Sequence, residues 1–184
     1  MKEKTIYSVR KNIIDRGSLL MNRSLGFSDS VKVSAEVIDA VKNKLIKWEE
    51  LGFNKEALRA YVNLAFALEQ IDGLKKHNLL WDIAINVAND IYSAINLGLI
   101  TWDDLGILSG DLSYDVKECG RNHAIKLTKD LIEGVYSGTV RLDVVDEVNR
   151  AIDGKVTSVA TISRVLKIDA EKIKELIEIE TILN

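Results

Sequence analysis

Residues 54–73 read NKEALRAYVNLAFALEQIDG, and their apolar side chains recur every three or four positions. That spacing places the apolar side chains on one face of an α-helix. Asn54 occupies a favourable N-cap position, and Gly73 follows the last apolar residue, where glycine commonly ends a helix. The apolar positions are Ala57, Leu58, Tyr61, Ala65, Leu68 and Ile71. The stretch therefore predicts an amphipathic helix that ends near Gly73.

Two further segments of the chain repeat this periodicity. One covers residues 80–95 before Gly98, and the other covers residues 111–136 before Gly138. We find no convincing alternation of apolar and polar residues, which would predict strands, and all 184 residues lack proline. Because proline interrupts helices, its absence favours long uninterrupted ones. We therefore expect an all-α fold, a multi-helix bundle of at least six helices. The expected breaks lie at Gly52, Gly73, Gly98, Gly138 and Gly154.

An internal repeat relates residues 40–62 to residues 94–116. The identical pairs include Ile46/Ile100, Trp48/Trp102, Leu51/Leu105 and Gly52/Gly106. The shared pattern is the end of a helix, an apolar pair, and then Trp, two acidic residues, Leu and Gly. Two copies fall short of the three or more that a solenoid needs, so we interpret the pattern as a paired-helix repeat within a bundle.

The second copy of this pattern has a local structural explanation. Thr101 followed by Asp104 resembles a capping box, and Asp103 in the same turn would complement the positive N-terminus of a helix. Trp102 would then belong to the buried face. We expect Trp48 and Trp102 to occupy equivalent and mostly buried positions. The alternative is that both are exposed anchors at an interface, where Trp is enriched.

The C-terminal segment predicts three helices. The first begins near Leu142 and ends before Gly154, Thr157 or Ser158 caps the second, and Asp169 caps the third. The apolar spacing of the last two resembles a helix-turn-helix motif. Its core positions would be Ile162, Leu166, Ile168 and Ile173.

These patterns divide the chain into two parts. Residues 1–137 would form a helical bundle that contains the repeat, and residues 138–184 would form the C-terminal tri-helical unit. The two parts can also pack together as one domain, as a length of 184 residues permits.

A helix-turn-helix would contact DNA through the basic residues of the tri-helical unit. These residues are Arg164, Lys167, Lys172 and Lys174. The recognition helix, however, would begin with Asp169 and Glu171, whose carboxylates oppose a phosphate backbone. A packing unit that does not contact DNA is therefore favoured over a DNA reader.

The charge of the chain is unevenly distributed. The formal net charge is −3, yet residues 1–32 carry seven basic and three acidic residues. Residues 77–116, in contrast, contain neither Lys nor Arg. The acidic residues of this base-free stretch are Asp82, Asp90, Asp103, Asp104, Asp111 and Asp115. The stretch is either buried core with a few solvated carboxylates or an acidic face that meets a basic partner.

For an acidic face, the residues that we expect to bind the partner lie around the glycine-marked junction near Gly106 and Gly110. They are Asp103, Asp104, Asp111, Asp115 and Trp102. We expect the four carboxylates to face solvent.

Residues with catalytic potential are few in this sequence. Cys119 and His123 lie four positions apart, a spacing compatible with a metal pair or with a nucleophile and its base. Both lie on an apolar helical stripe, which favours a buried Cys and a hydrogen-bonded His. The chain lacks a phosphate-binding glycine loop and a paired-histidine zinc motif. We expect no enzymatic activity, no metal and no cofactor.

The single Cys119 excludes an internal disulfide, which suits a reducing compartment. No apolar run approaches the 18 residues of a membrane span, and the charged start lacks a signal-type apolar core. We expect a cytoplasmic protein that does not contact membranes.

These features favour a non-enzymatic, acidic, protein-binding module. Its expected partner is a protein that has a basic surface and handles nucleic acid. The chain would inhibit that partner by mimicry of nucleic acid, as immunity or phage anti-defence proteins do. The first alternative is a transcriptional or plasmid-maintenance regulator that binds DNA through the helix-turn-helix. Another is a structural assembly subunit, and self-association into a homodimer stays open.

Overall fold

The computed structural model of the chain describes residues 2–137 and 142–183. Over these residues the chain forms ten α-helices and no β-strand. The helices are α1 (Lys2–Met21), α2 (Phe27–Lys42), α3 (Trp48–Leu51), α4 (Lys55–Lys75), α5 (Trp81–Asn96), α6 (Trp102–Leu105), α7 (Ser109–Ser137), α8 (Leu142–Asp153), α9 (Val159–Leu166) and α10 (Ala170–Leu183). The all-α, multi-helix bundle that the apolar periodicity predicts is confirmed.

The helices belong to two compact units. The first unit comprises Met1–Asp72 and Asn86–Ser109, and the second comprises Gly73–Ile85 and Gly110–Asn184. The chain passes between the units inside α4, inside α5 and at the start of α7. The sequence predicts a domain boundary between residues 137 and 138. Residues 138–141 lie outside the described residues, and the predicted division into two parts stays a prediction.

The core of the first unit forms where α1 packs against α2 and α3. One face of α2 is buried because its apolar residues recur three or four positions apart. The buried residues of this core are Leu20, Val33, Val37, Ala40, Ile46, Leu51 and Leu58. The short helix α3 is anchored through its last residue, Leu51, which is 4% exposed. Trp48 and Phe53 pack against the same core.

The predicted helix ends can be compared with the observed ones. Helices end at or just before Gly52, Gly98 and Gly154, as predicted. Gly138 lies outside the described residues. The break predicted at Gly73 is wrong, because α4 continues through this residue.

Gly73 lies inside α4 for a reason that periodicity does not reveal. A Cβ atom at this position would come within 2.7 Å of Leu79 Cδ2, so glycine permits the following segment to approach the helix. The residue that leaves the helical conformation is His77, with φ +57. The N–H of His77 donates to the Leu74 carbonyl, and the N–H of Asn78 donates to the Gly73 carbonyl. These two bonds satisfy two of the carbonyls in the last turn of the helix.

In the second unit, α10 packs against both α8 and α9. Ser158 caps α9 by accepting a hydrogen bond from the Thr161 N–H, and Asp169 caps α10 by accepting one from the Glu171 N–H. Both caps lie at residues that the sequence predicts. The buried core of these three helices consists of Val148, Ile162, Ile173 and Ile177, with Leu166 and Ile168 half-buried beside it. The resemblance to a helix-turn-helix motif stays a prediction.

The two segments of the proposed repeat contain similar local structures. α3 and α6 are each four residues long, and each is followed by a glycine with positive φ, +75 at Gly52 and +61 at Gly106. The turn before each helix also closes in the same way. In the first segment the Leu45 N–H donates to the Ala40 carbonyl at 2.8 Å. In the second segment the Leu99 N–H donates to the Ala94 carbonyl at 2.9 Å. The duplication itself stays a prediction.

Across the described parts of the chain, each helix is either too short or too polar to cross a lipid bilayer.

Candidate protein-binding surface

The junction between α5 and α7 is built from two tight turns and the short helix α6. Gly98, with φ +70, follows α5, and Gly106 ends α6. Leu105, the last residue of α6, is buried at 8% exposure. Asp103 and Asp104, the middle residues of this helix, are left exposed, as the sequence predicts for both.

The carboxylate of Asp104 is part of the cap of α6. Its Oδ2 accepts hydrogen bonds from the Thr101 backbone N–H and hydroxyl, both at 2.9 Å, while the Asp104 N–H donates to Thr101 Oγ1 at 3.2 Å. The Thr101 backbone bond, and after it the hydroxyl bond, lowers the pKa of Asp104 below its ordinary value. Arg23 lies 3.6 Å from the same oxygen. Asp104 is exposed, but its carboxylate already stabilises the fold.

Trp102 packs against Tyr92 on the last turns of α5. The ring centroids lie 5.4 Å apart at 74°, an edge-to-face arrangement that aromatic pairs favour. The Tyr92 hydroxyl donates to the Ser109 carbonyl at 3.3 Å, which joins α5 to the start of α7. Trp102 is half-buried, and part of the residue is open to solvent. Trp48 is also half-buried, against Phe53.

Two leucines that flank α6 are unusually open to solvent. Leu97 is 40% exposed and Leu108 is 68% exposed. We call Leu97, Trp102, Asp103 and Leu108 the junction surface. Neither leucine is among the binding residues predicted from the sequence. The signal that could have found them is an apolar residue directly beside a turn, outside the helical stripe of either neighbouring helix.

The other two predicted carboxylates belong to the second unit, on α7. Asp111 is exposed, as predicted. The prediction that Asp115 faces solvent is wrong, because its side chain is only 13% exposed. His77 Nε2 lies 2.7 Å from Asp115 Oδ1, and the Tyr114 ring packs edge-to-face on the imidazole. Asn122 also donates a hydrogen bond to the His77 carbonyl. Asp115 therefore holds the end of α4 against α7.

Two further carboxylates of the base-free stretch are also used by the fold. Asp82 Oδ1 accepts a hydrogen bond from Arg150 at 3.0 Å, and the same guanidinium lies 5.1 Å from the centroid of the Trp81 ring. Asp90 is half-buried, and this burial raises its pKa, while a hydrogen bond from Asn63 opposes the rise. The base-free stretch is therefore not one continuous acidic face.

Cys119 and His123 each have an ordinary structural environment. Cys119 is fully buried, its Sγ lies 3.8 Å from the Leu74 carbonyl oxygen, and burial raises the pKa of the thiol, which keeps it protonated. His123 Nδ1 accepts a hydrogen bond from the Trp81 N–H at 3.4 Å, and its Nε2 lies 3.6 Å from Glu147. Within the described ranges, no three His, Cys, Asp or Glu side chains are grouped to hold a metal ion.

The basic residues of the alternative DNA-binding site lie around the turn between α9 and α10. Arg164, Lys167 and Lys172 are exposed, and Lys167 has a left-handed backbone conformation with φ +55. Lys174 donates to Glu171 at 2.7 Å, and this hydrogen bond raises the pKa of the lysine. Three basic side chains are therefore open at this turn, while the fourth is held by an acidic neighbour.

Comparison of the chain with protein-family models, with curated protein sequences and with solved structures finds no match.

Proposed function

We propose that this chain is a cytoplasmic, non-enzymatic helical module that binds a basic protein partner through the junction surface. The partner would be a protein that handles nucleic acid, and binding would inhibit it in the manner of an immunity or anti-defence protein. The observation that supports this proposal most strongly is the half-buried Trp102, fixed against Tyr92 and flanked by the exposed residues Leu97, Asp103 and Leu108.

The junction surface combines properties that strong protein interfaces use. Trp and Tyr are enriched among the residues that contribute most binding energy, and apolar neighbours help to exclude water from them. The cap of α6 and the bond from Tyr92 to Ser109 hold the aromatic pair in place before binding. A surface fixed in advance loses less conformational entropy when it binds.

The charge of Asp103 supports a basic partner. A groove that holds phosphates presents Lys and Arg, and it attracts a carboxylate through the same long-range field. Asp104 adds a second negative charge beside it, although Arg23 partly offsets that charge. An inhibitor with this surface would compete with nucleic acid for the groove.

Site-directed photo-crosslinking tests this proposal. A photoreactive residue would replace Leu108, and a control would replace Lys129, an exposed residue of α7 outside the junction surface. We expect the Leu108 probe to capture, in extracts of cells that naturally carry the chain, a discrete basic protein that binds duplex DNA. The chain should compete with DNA for that protein. Failure to capture, or the same products from both probes, would contradict the proposal.

A second candidate function is a DNA-binding regulator, favoured by the exposed Arg164, Lys167 and Lys172 beside one turn. Retention on a DNA column, measured against salt, tests it. If the chain is a DNA-binding regulator, its binding to DNA falls steeply as salt rises, and Lys172→Gln weakens that binding. Lys174→Gln should change the binding less, because Glu171 already holds Lys174. The protein-binding proposal instead expects no specific retention on duplex DNA.

A further inference from the structure

The first unit contains a cavity of about 200 Å³ between the end of α1, the following loop, α2 and α4. Its apolar lining consists of Leu20, Leu25, Leu64, Ala65 and Leu68. An engineered apolar cavity of about 150 Å³ is large enough to bind benzene. This cavity therefore has room for a ligand of roughly eight to ten non-hydrogen atoms.

Two of the residues that line the cavity, Ser30 and Tyr61, carry hydroxyl groups. Ser30 on α2 is 1% exposed. Tyr61 on α4 is half-buried. The two residues therefore offer hydroxyl donors to a polar ligand atom in the cavity.

The same cavity is lined by one cation and one anion. Arg23 follows α1 in a left-handed backbone conformation, φ +56, and Asp104 lies 3.6 Å from one of its nitrogens. Glu69 Oε1 accepts a hydrogen bond from the Phe27 N–H at 2.7 Å. A guanidinium has five donors and a carboxylate has about four acceptor positions, so both groups retain capacity for a ligand.

The state of Tyr61 agrees with this arrangement. Burial raises the pKa of Tyr61, and the nearby positive charge of Arg23 opposes the rise. With a raised pKa the phenol remains protonated at neutral pH, so it can donate a hydrogen bond to an anionic group.

We propose that this cavity binds a small zwitterion with an apolar side chain, of which a free apolar α-amino acid is the simplest example. Its carboxylate pairs with Arg23 and accepts from the hydroxyls of Ser30 and Tyr61. Its ammonium group pairs with Glu69. Its side chain occupies the leucine-lined interior. This site goes beyond the proposed protein-binding function and does not depend on it.

Calorimetric and NMR titrations of the full chain with L-leucine test this proposal. We expect one site per chain, with amide shifts concentrated around Ser30 and Tyr61. Two truncated probes define the ligand class: 4-methylpentanoate lacks the ammonium group, and 3-methylbutylamine lacks the carboxylate. Each should bind at least tenfold more weakly than leucine. No saturable binding of leucine, equal binding of either truncated probe, or shifts confined to other regions would overturn the proposal.

Variants of the lining separate a binding role from a structural one. Arg23→Gln and Glu69→Gln should each weaken leucine binding at least tenfold, and Ser30→Ala, which only removes a hydroxyl, should weaken it several-fold. Arg59→Gln and Glu56→Gln are matched controls, since both residues are exposed on α4 and absent from the cavity lining. Circular dichroism checks that each variant is folded. Unchanged binding by all three lining variants would overturn the assignment.

Discussion

At the scale of single residues, Asp104 shows how one carboxylate can stabilise a very short helix. Its backbone bond to Thr101, then its bond to the Thr101 hydroxyl, lowers its pKa below the ordinary value of 3.8. A group with a lowered pKa in the folded state stabilises the fold above its unfolded pKa, and this contribution is lost as the pH falls through the folded value. Asp104 should therefore contribute to stability at neutral pH and not in strong acid.

The first prediction concerns the titration of this carboxyl, followed by carbon NMR. The midpoint of Asp104 should lie below 3.8 in the wild type. Thr101→Ala removes the hydroxyl bond but keeps the backbone bond, so it should raise the midpoint only in part. Thr101→Ser keeps both bonds and serves as the control. A wild-type midpoint at or above the ordinary value would contradict the capping role.

Residue patterns predicted some contacts of the fold and not others. The caps by Ser158 and Asp169 were predictable because a cap depends on a few neighbouring residues. The pairing of Asp115 with His77 was not, because it joins residues 38 positions apart. The cavity beside Ser30 was also beyond the sequence, since its walls come from different helices whose approach no local pattern encodes.

At the scale of helices, a glycine inside a helix can allow other side chains to pack closely against the helix backbone. Gly120 lies inside α7, where a Cβ atom would come within 2.6 Å of Val156 Cγ1 and 2.9 Å of Trp81 Cδ1. Glycine at this position therefore lets both side chains pack directly on the helix backbone. Gly110 lies in the same helix, but a Cβ atom there would have nothing within 4 Å. The two glycines therefore lie in the same helix but differ in how closely other residues approach them.

The second prediction compares alanine substitutions at these two glycines. Gly120→Ala should lower the free energy of unfolding by about 1–3 kcal/mol, as overpacking does. Gly110→Ala should leave it unchanged or raise it by up to about 1 kcal/mol, since alanine favours helices. Urea unfolding followed by tryptophan fluorescence measures both. Equal stability of the two variants would contradict the close packing at Gly120.

At the scale of the whole molecule, the net charge of −3 does not by itself select a partner. What matters is which of the exposed carboxylates are not already held by a neighbouring group of the fold. Arg150 holds Asp82, Thr101 holds Asp104, and His77 holds Asp115. Asp103 is exposed beside Trp102, and Glu49 is exposed at the corresponding position of α3. Removing the charge of Asp103 therefore tests the junction surface, and removing that of Glu49 controls for net charge.

The most direct test of the protein-binding proposal is the association rate of the captured basic partner with the wild type, Asp103→Asn and Glu49→Gln. The rates would be measured at ionic strengths of about 0.01 M and 1 M, where the Debye length is about 30 Å and 3 Å. We predict that high salt slows the wild type at least tenfold and that, at low salt, Asp103→Asn associates more slowly than both wild type and Glu49→Gln. Equal rates for all three proteins at both ionic strengths would contradict electrostatic recognition through the junction surface.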